Sequence, residues 1–497
     1  MTESRAAGRD GGPAARGVAH LTTEVRGDMA EQLRRVRIPL MTAVAMIFIF
    51  VSSGAFGIED MVGTDGSGPG LTLLLLLVLP IVWAMPMALV CSELGSALPE
   101  EGGYYAWTRR AMGEFWGFQC GWWAWTCQWV DSAVYIALVQ GYIATWWPQL
   151  NAWEIWGIGA VLIAVFAYTN IRGLNIIAIS SVIFTIVIVA PFVVLIVLGL
   201  AHWHGTPLQP FMVPGQSLWS NLNYGLAVGV WMYSGYDSMS TIAGEMENPR
   251  RIIPRALMIA MPIIVALYFL PTLAGLAGVD DWSNWATTGG TSFVEVAKSL
   301  GGPVLGYVML GAAVISNLAL YQDYLTSGSR PAYSMAEDRL RPKALNRAHP
   351  RYGTPWISIL LLAGINLVLI IGTFANLVVI DVMLNMFYYL LIFVAALRLR
   401  RKEPELERPF RIWGNTAVLA VICAPAIFIA LVTIVTNAVD TSTSALGRTS
   451  FSLGSLTFGW YGVGGLVGLL AGPIAYVIFK RMLGGRPTGS GADATAA

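Results

Sequence analysis

Glycines and acidic residues interrupt an apolar stretch near the amino-terminal end of the chain. The run PLMTAVAMIFIFVSSGAFGIEDMV contains SSGAFGIED at residues 52–60, where Glu59 and Asp60 follow Gly54 and Gly57. Glycine makes such a backbone hard to keep helical, and an ionised carboxylate costs several kcal/mol at the centre of a bilayer. The pattern therefore predicts a membrane helix that is broken at the point where it carries acids.

A second apolar stretch, LWSNLNYGLAVGVWMYSGYDSMSTI at residues 219–243, is interrupted in the same way by YSGYDS, which contains Asp237. Close helix packing would explain the glycines of either stretch, but it does not explain acids beside both interruptions. Non-helical backbone at membrane depth is tolerated only where protein or a water-filled cavity covers it. Two such stretches in corresponding positions are typical of a transporter built from an inverted repeat, and we expect the freed helix ends to meet near the bilayer midplane.

The acids within the apolar stretches have no basic partner there. All four histidines lie in predicted loops or tails, and the first lysine of the chain is Lys298. The partners of these acids are then backbone donors, hydroxyl groups, protons or a cation from outside the protein. We predict that Glu59 and Asp237 bind the substrate and are the candidates for proton coupling. Asp131 and Asp323 are further candidates for substrate binding.

Three other acids have expected structural roles. Glu93 lies near the inner end of its apolar stretch and is expected to pair with an arginine of an inner loop. Asp60 is expected to cap the half-helix after the first interruption, and Asp381 to lie near an outer end of its stretch. None of the three is assigned to the substrate.

Aromatic residues accompany the acids that are assigned to the site. A cation–π contact with a desolvated amine contributes about 1–2 kcal/mol per ring, so rings beside a carboxylate favour a cation site. Many of the 19 tryptophans are instead expected in the aromatic belts at the membrane surfaces. The aromatic residues assigned to the site are Phe56, Trp125, Tyr233, Tyr236 and Tyr321.

The composition is that of a membrane protein. Hydrophobic residues make up 56% of the 497 residues and charged residues 12%, against about a quarter charged in soluble domains. All lysines and arginines except Lys298 and Arg448 lie in, or within one residue of, loops and tails on one side of the predicted topology, which predicts cytoplasmic termini. The twelve stretches long enough to span a bilayer as helices are 37–62, 70–97, 113–147, 153–170, 175–200, 219–243, 255–278, 301–328, 354–372, 376–398, 413–437 and 457–480.

These stretches define the organisation of the chain. We expect a disordered tail at 1–35, a first repeat of five helices at 36–200, a second at 219–398, two further helices at 413–480, and a disordered tail at 484–497. A membrane-embedded enzyme would need a nucleophile–base pair or a metal cluster, and a channel would need a repeated filter element; the spans contain neither. We therefore predict no enzyme activity, cofactor, metal site, nucleic acid or required protein partner.

Several segments together resemble one family of transporters. SSGAFGIED is similar to the first-helix signature of the amino acid–polyamine–organocation (APC) superfamily, whose polyamine:proton symporter branch carries Gly-x-Phe-Gly-x-Glu-Asp at this position. Further segments resemble the same branch, and the resemblance extends over about 36–480. They are PEEGGYYAW (99–107), GEFWGFQCGWWAW (113–125), YDSMSTIAGEMENPRRIIPRAL (236–257) and RKEPELERPFRIWG (401–414).

This resemblance implies an all-α LeuT-type fold, with five helices, five inverted helices and two extra helices. It also implies that the substrate lies between the unwound parts of the first and sixth helices. Two departures weaken the match: Tyr236 stands where the polyamine branch usually has tryptophan, and the fifth stretch lacks the lysine of some proton-coupled relatives. The residues that the resemblance assigns to the two unwound parts are Ser52, Ser53, Gly54, Ala55, Phe56 and Gly57 in the first, and Ser234, Gly235 and Tyr236 in the second.

The sequence thus predicts a secondary transporter of the cell membrane that takes up an organic cation, a polyamine or related amine. We expect coupling to protons and alternating access through movement of the two broken helices. The alternative is an APC-type permease or exchanger for neutral or cationic amino acids. The two differ in whether the segment 52–57 must accept a carboxylate, because an amino acid carries one and a polyamine does not.

Overall fold

The computed structural model describes residues 33–279, 281–286, 290–371, 374–439, 450–453 and 456–483. Most of the predicted tail at 1–35 and all of the tail at 484–497 lie outside the described residues. Within the described part, helices account for all regular structure except one short hairpin of β1 (Ser450–Leu453) and β2 (Leu456–Gly459), which are antiparallel. The last apolar stretch therefore becomes helical only at residue 460, because 456–459 pair with the preceding strand.

Helices cover the predicted stretches with two differences. A further helix, Tyr104–Met112, lies between the second and third stretches, and the eighth extends over Phe293–Glu337, with non-helical backbone at Gly302. Two short 3₁₀ helices, Ser238–Glu245 and Lys343–Asn346, and a π-helical turn at Pro80–Ala84 add to them. In chain order the helices are α1 (Leu40–Val51), α2 (Glu59–Val62), α3 (Pro69–Ala97), α4 (Tyr104–Met112), α5 (Glu114–Trp146), α6 (Ala152–Arg172), α7 (Leu174–Ala201), α8 (Leu218–Met232), α9 (Pro249–Gly278), α10 (Phe293–Glu337), α11 (Trp356–Leu369), α12 (Phe374–Lys402), α13 (Thr416–Val439) and α14 (Trp460–Leu483).

The helices form a bundle whose outer surface is apolar. Among the described residues, six helices are long and apolar enough to cross a membrane, namely α3, α6, α7, α9, α10 and α13, and two shorter helices, α1 and α11, are also apolar. Large apolar side chains such as Val161, Ile186 and Val197 are more than half exposed on this surface. An exposed apolar surface of this extent fits a hydrocarbon environment rather than water.

Both predicted helix breaks are present. The first break separates α1, which ends at Val51, from α2, which begins at Glu59. Within it Gly54 has φ +115° and Gly57 has φ +102°, values that glycine adopts without strain. The second break follows Met232 and leads to the 3₁₀ helix Ser238–Glu245.

The broken helix α1 lies at the centre of the bundle. It packs against α7, α9 and α10, while α5 packs against α10 and α12. Residues 43–51 of α1 are all buried, as expected of a helix that is apolar on every side. The first break is therefore enclosed by protein, which is the condition for irregular backbone at membrane depth.

Buried ion pairs lie at the end of the bundle that carries the basic loops. The Nε atom of Arg330 lies 2.7 Å from Oε1 of Glu245, and both side chains are only 1% exposed. The Nε atom of Arg400 donates to Oε1 of Glu93 over 2.8 Å, which confirms the expected pairing of Glu93 with a loop arginine. The first pair fixes the 3₁₀ helix after the second break to the end of α10.

Arg330→Met tests this attachment. Because the substitution leaves Glu245 buried without its cation, we expect it to lower the free energy of unfolding by about 3–5 kcal/mol. The matched control is Arg250→Met, which removes an ion pair with Glu407 whose side chains are 47% and 78% exposed, and which we expect to cost at most about 1 kcal/mol. Thermal unfolding of both purified variants in detergent measures the difference, and equal melting temperatures would contradict the proposed attachment.

Candidate functional site

The first break is held by hydrogen bonds to its own side chains and to α10. The hydroxyl of Ser53 donates to the carbonyl oxygen of Ser316 over 3.0 Å, and the Ser316 hydroxyl donates in return to the Ser53 carbonyl. The amide of Gly54 donates to the Ser52 hydroxyl over 3.2 Å. These bonds replace the helical bonds that the break removes, and they join α1 to the middle of α10.

Two backbone amides of the first break remain free. The N–H groups of Ala55 and Phe56 have no hydrogen-bond partner among the residues that the structure describes. The adjoining Gly54 is closely packed, since an added Cβ would lie 3.1 Å from Ile188 and 3.2 Å from Phe192 of α7. The segment 52–57, assigned to the substrate from the sequence, thus presents two unused donors.

Glu59 is bound by backbone donors. Its Oε2 atom accepts from the amide of Gly57 over 2.6 Å, and its Oε1 atom accepts from the amide of Phe293 over 3.1 Å. Glu59 is the first residue of α2 and Phe293 is the first residue of α10, so one carboxylate bridges two helix N-termini. Of the partners that the sequence left open for this acid, the structure supplies backbone donors.

The second break places Asp237 against α12. The hydroxyl of Tyr389 donates to Oδ1 of Asp237 over 3.0 Å and accepts from the amide of Gly235 over 2.9 Å. Gly235 has φ +99°, and a Cβ added there would lie 2.4 Å from the carbonyl oxygen of Phe50. The second break therefore touches the last turn of α1, directly before the first break, as expected for freed helix ends that meet.

Tyr268 of α9 joins the two broken helices, and the sequence did not indicate this role. Its hydroxyl lies 2.8 Å from the carbonyl oxygen of Met232 and 3.3 Å from that of Val51. These carbonyls belong to the last residues of α8 and α1. The only signal in the sequence is a tyrosine in an apolar helix, and that pattern does not reveal its partners.

Asp131 of α5 lies in an aromatic pocket beside the breaks. The side chains of Tyr135, Tyr324 and Trp231 surround its carboxylate. Its Oδ1 atom is buried and has no hydrogen-bond partner among the described residues. Its neighbour is Asp381, which lies in the first third of α12 and is fully buried in the bundle.

Asp323 and Tyr321 lie away from the breaks. Asp323 accepts weak hydrogen bonds from Ser181 and Gln322 at 3.3 Å, between α7 and α10. It follows Ser316, which contacts the first break, by seven residues, which is about 10 Å along a helix. The ring of Tyr321 packs against Phe166 of α6.

Trp125 already contacts a cation of the chain. The guanidinium carbon of Arg341 lies 3.5 Å from the centre of the Trp125 ring and 5.0 Å from that of Trp122. Arg341 follows the end of α10, where burial lowers the pKa of its guanidinium to about 9, so it is still a cation at neutral pH. The sequence analysis assigned Trp125 to the substrate site. In this conformation Arg341 occupies the face of the Trp125 ring where a substrate amine was expected.

The remaining assigned residues line the second break. The hydroxyl of Tyr233 donates to the carbonyl of Leu76 in α3 over 2.8 Å, so its polar end is used in packing. The hydroxyl of Ser234 donates to the carbonyl of Val230 over 2.7 Å. The hydroxyl of Tyr236 is buried and has no partner within the described part of the chain.

Comparison with known proteins identifies the family. A family model described as amino acid permease matches residues 40–462. The chain belongs to the amino acid permease family. A polyamine transporter of Arabidopsis thaliana is 34% identical over 392 residues, which cover 78% of each chain.

Two further relatives of this permease differ in what their names say they transport. A polyamine transporter of Oryza sativa subsp. japonica is 35% identical over 420 residues, covering 82% of this chain and 75% of the relative. A serine/threonine exchanger of Bacillus subtilis is 26% identical over 372 residues, covering 72% of this chain and 82% of the relative. The resemblance to the APC superfamily is confirmed, and the permease is a multi-pass membrane transporter.

Tyr268→Phe tests the link between the broken helices. Removal of the hydroxyl leaves a buried carbonyl without its donor, so we expect the free energy of unfolding to fall by about 1–3 kcal/mol and transport to slow. The matched variant is Tyr321→Phe, because the Tyr321 hydroxyl is buried without a partner among the described residues and its loss should not destabilise the protein. Melting temperatures of the two variants give the comparison, and a smaller loss for Tyr268→Phe than for Tyr321→Phe would show that the link is unimportant.

Gly235→Ala tests the contact between the second break and the end of α1 beside the first break. A Cβ at this position meets the Phe50 carbonyl and forces an unfavourable φ, so we expect at least a tenfold loss of transport and a lower melting temperature. Gly364→Ala in α11 is the control, because a Cβ there has open space and alanine favours a helix by about 1 kcal/mol. Transport by Gly235→Ala at the level of the control would mean that this contact is not needed.

Proposed function

We propose that this permease is a secondary transporter that takes up an organic cation, a polyamine or related amine, and that a proton gradient drives the uptake. The observation that carries the proposal is a contrast between two groups of buried acids. Glu93 and Glu245 are paired with arginines. Asp131 and Asp237 are equally buried, and no lysine, arginine or histidine pairs with them in the described part of the chain. A cation from outside the protein would supply the missing charge.

The surroundings of these acids fit an ammonium group. Aromatic rings lie beside Asp131, and Tyr389 packs between Tyr388 and Trp83 next to Asp237. A desolvated ammonium gains from both a carboxylate and aromatic faces. Relatives whose names describe them as polyamine transporters, at 34% and 35% identity, support the same substrate class.

The second candidate is a permease or exchanger for amino acids. The free amides of Ala55 and Phe56 favour it, because a substrate carboxylate would accept hydrogen bonds from both. The serine/threonine exchanger among the relatives points the same way. The buried acids count against it, since a zwitterion adds a negative charge close to carboxylates that already lack a cation.

The proposed architecture is a LeuT-type fold of twelve helices in the cell membrane, with both termini in the cytoplasm. The repeats would comprise residues 36–200 and 219–398, followed by two helices at 413–480. Support comes from breaks at corresponding places in the two repeats, which meet at the centre of the bundle. The broken helices would move together against the rest of the bundle during alternating access.

Glu59 and Asp237 are the proposed proton-coupling groups. Protonation of Glu59 would weaken one of its two bonds to backbone amides and so loosen the first break from the start of α10. At Asp237, which Tyr389 holds in place, the substrate amine would pair with the carboxylate while the co-transported proton is bound at Glu59. At both acids, a change of charge would alter the hydrogen bonds that hold a helix break in place.

Ligand-dependent stability tests the substrate class. The melting temperature of purified protein is measured with each of putrescine, spermidine, agmatine, arginine, lysine and alanine. A ligand at 100 times its Kd stabilises the folded state by about 2.7 kcal/mol. We expect the di- and polyamines to raise the melting temperature and Asp237→Asn to abolish the effect. The matched control is Asp281→Asn, an exposed loop acid. A shift by the α-amino acids alone would replace the amine proposal with the second candidate.

Proteoliposomes with a pH dye inside test the coupling. With an amine substrate outside, we expect the lumen of wild-type vesicles to acidify as substrate enters. Glu59→Gln should still exchange labelled for unlabelled substrate but should neither move protons nor accumulate substrate. Acidification by Glu59→Gln at the wild-type rate would remove Glu59 from the coupling mechanism.

A further inference from the structure

We propose that Asp131 and Asp381 together form a second ammonium site, which makes the transporter selective for substrates with two or more amines. The inference rests on the proposed function and extends it, because the first amine would be held at Asp237. Asp381 received no substrate role from the sequence. Three features support the site. The two acids lie close together, one of them has an oxygen atom without a hydrogen-bond partner among the described residues, and the pair lies close to the second break.

The two acids are brought together by α5 and α12. The thiol of Cys127 donates to Oδ1 of Asp381 over 2.8 Å. Asp131 follows Cys127 by four residues on α5, so both side chains lie on the same face of that helix. Asp381 is held on its other side by Asn385, whose amide donates to Oδ2 over 3.1 Å. Asp381 therefore contacts α5 one helical turn from Asp131, and the two carboxylates interact electrostatically.

This pair is not compensated by the chain. Two buried carboxylates repel each other unless a proton or a cation lies between them. Asp381 receives a thiol and an amide as donors, while the buried Oδ1 atom of Asp131 has no partner among the residues that the structure describes. The pair therefore offers an unused acceptor within an excess of negative charge, which suits a primary ammonium with three N–H donors.

Aromatic rings complete the surroundings of this site. The ring centres of Tyr135 and Tyr324 are 5.4 Å apart, and those of Tyr135 and Trp231 are 6.5 Å apart and nearly parallel. All three side chains lie next to the Asp131 carboxylate. Side chains from α5, α8 and α10 thus come within hydrogen-bonding reach of one carboxylate. Neutral donors do not cancel its charge, and the neighbouring rings would add cation–π contacts to an alkylammonium group bound there.

One layer of side chains separates this site from Asp237. The hydroxyl of Tyr324 lies 3.4 Å from the position that a Cβ of Gly235 would take. The amide of Gly235 in turn donates to Tyr389, which donates to Asp237. A flexible substrate with ammonium groups at both ends can therefore contact Asp237 with one end and the Asp131–Asp381 pair with the other.

Matched mono- and diamines test the proposal. Putrescine and butylamine have the same carbon chain, and putrescine carries one more ammonium group. Binding of each to purified wild-type protein is measured by calorimetry, and we expect putrescine to bind at least tenfold more tightly. In Asp131→Asn and Asp381→Asn the two affinities should become equal within about twofold, through weaker binding of putrescine alone.

Two further variants separate loss of charge from loss of structure. Asp381→Glu keeps the negative charge and should keep the preference for putrescine. Cys127→Ser keeps a donor to Asp381 and changes no charge, so it should also keep the preference. A preference lost in Cys127→Ser as well would mean that packing of α12, and not the acid pair, sets the selectivity.

Failure of this proposal differs from failure of the proposed function. If Asp131→Asn and Asp381→Asn weaken putrescine and butylamine equally, or weaken neither, the pair is not a second ammonium site, although amines are still substrates. If neither amine binds to wild-type protein while alanine or serine does, the proposed amine function itself is wrong. An unchanged preference in both asparagine variants would overturn the role of the pair.

Discussion

A broken helix inside a membrane leaves backbone N–H and C=O groups without partners, and hydrocarbon contains no water to replace them. The structure of this permease depends on hydrogen bonds from the helices that surround the breaks to these backbone groups. Ser316 bonds with Ser53 in both directions, and the hydroxyl of Tyr268 lies within reach of carbonyls at both helix ends. Ser316 lies in the part of α10 that follows non-helical backbone at Gly302, and Tyr268 lies in α9. The polar atoms that α9 and α10 supply thus replace part of the helical bonding that the breaks remove.

Carboxylates take part in the same support, and this links charge to conformation. Glu59 accepts from amides at the start of α2 and of α10, and Asp237 holds the tyrosine that binds Gly235. A proton or an ammonium group at either acid changes how strongly its break is held. A substrate or proton that acts in this way has different affinities for different conformations, which is the physical requirement for coupling its binding to movement.

The sequence predicts the breaks but not the groups that support them. Gly54 and Gly235 are local signals, because helix packing alone does not account for glycine beside acids in an apolar run. The partners Tyr268 and Tyr389 come from distant helices and look like ordinary aromatic residues in their own segments. The contact of Asp381 with Cys127 is hidden for a related reason: it depends on the register of α12 against α5, which a single apolar stretch does not define. Hydropathy thus locates the helices, while the contacts between them require the packed bundle.

The choice between an amine and an amino acid becomes a question of charge balance. The free amides of Ala55 and Phe56 would suit a substrate carboxylate, and each unused amide costs about 1–3 kcal/mol if water cannot reach it. Against this stand the buried acids Asp131, Asp237 and Asp381, none of which has a basic partner among the described residues. A zwitterion has no net charge and leaves the excess of negative charge in place. A diamine brings two positive charges to a region with an excess of buried carboxylates, and so supplies the charge that a zwitterion does not.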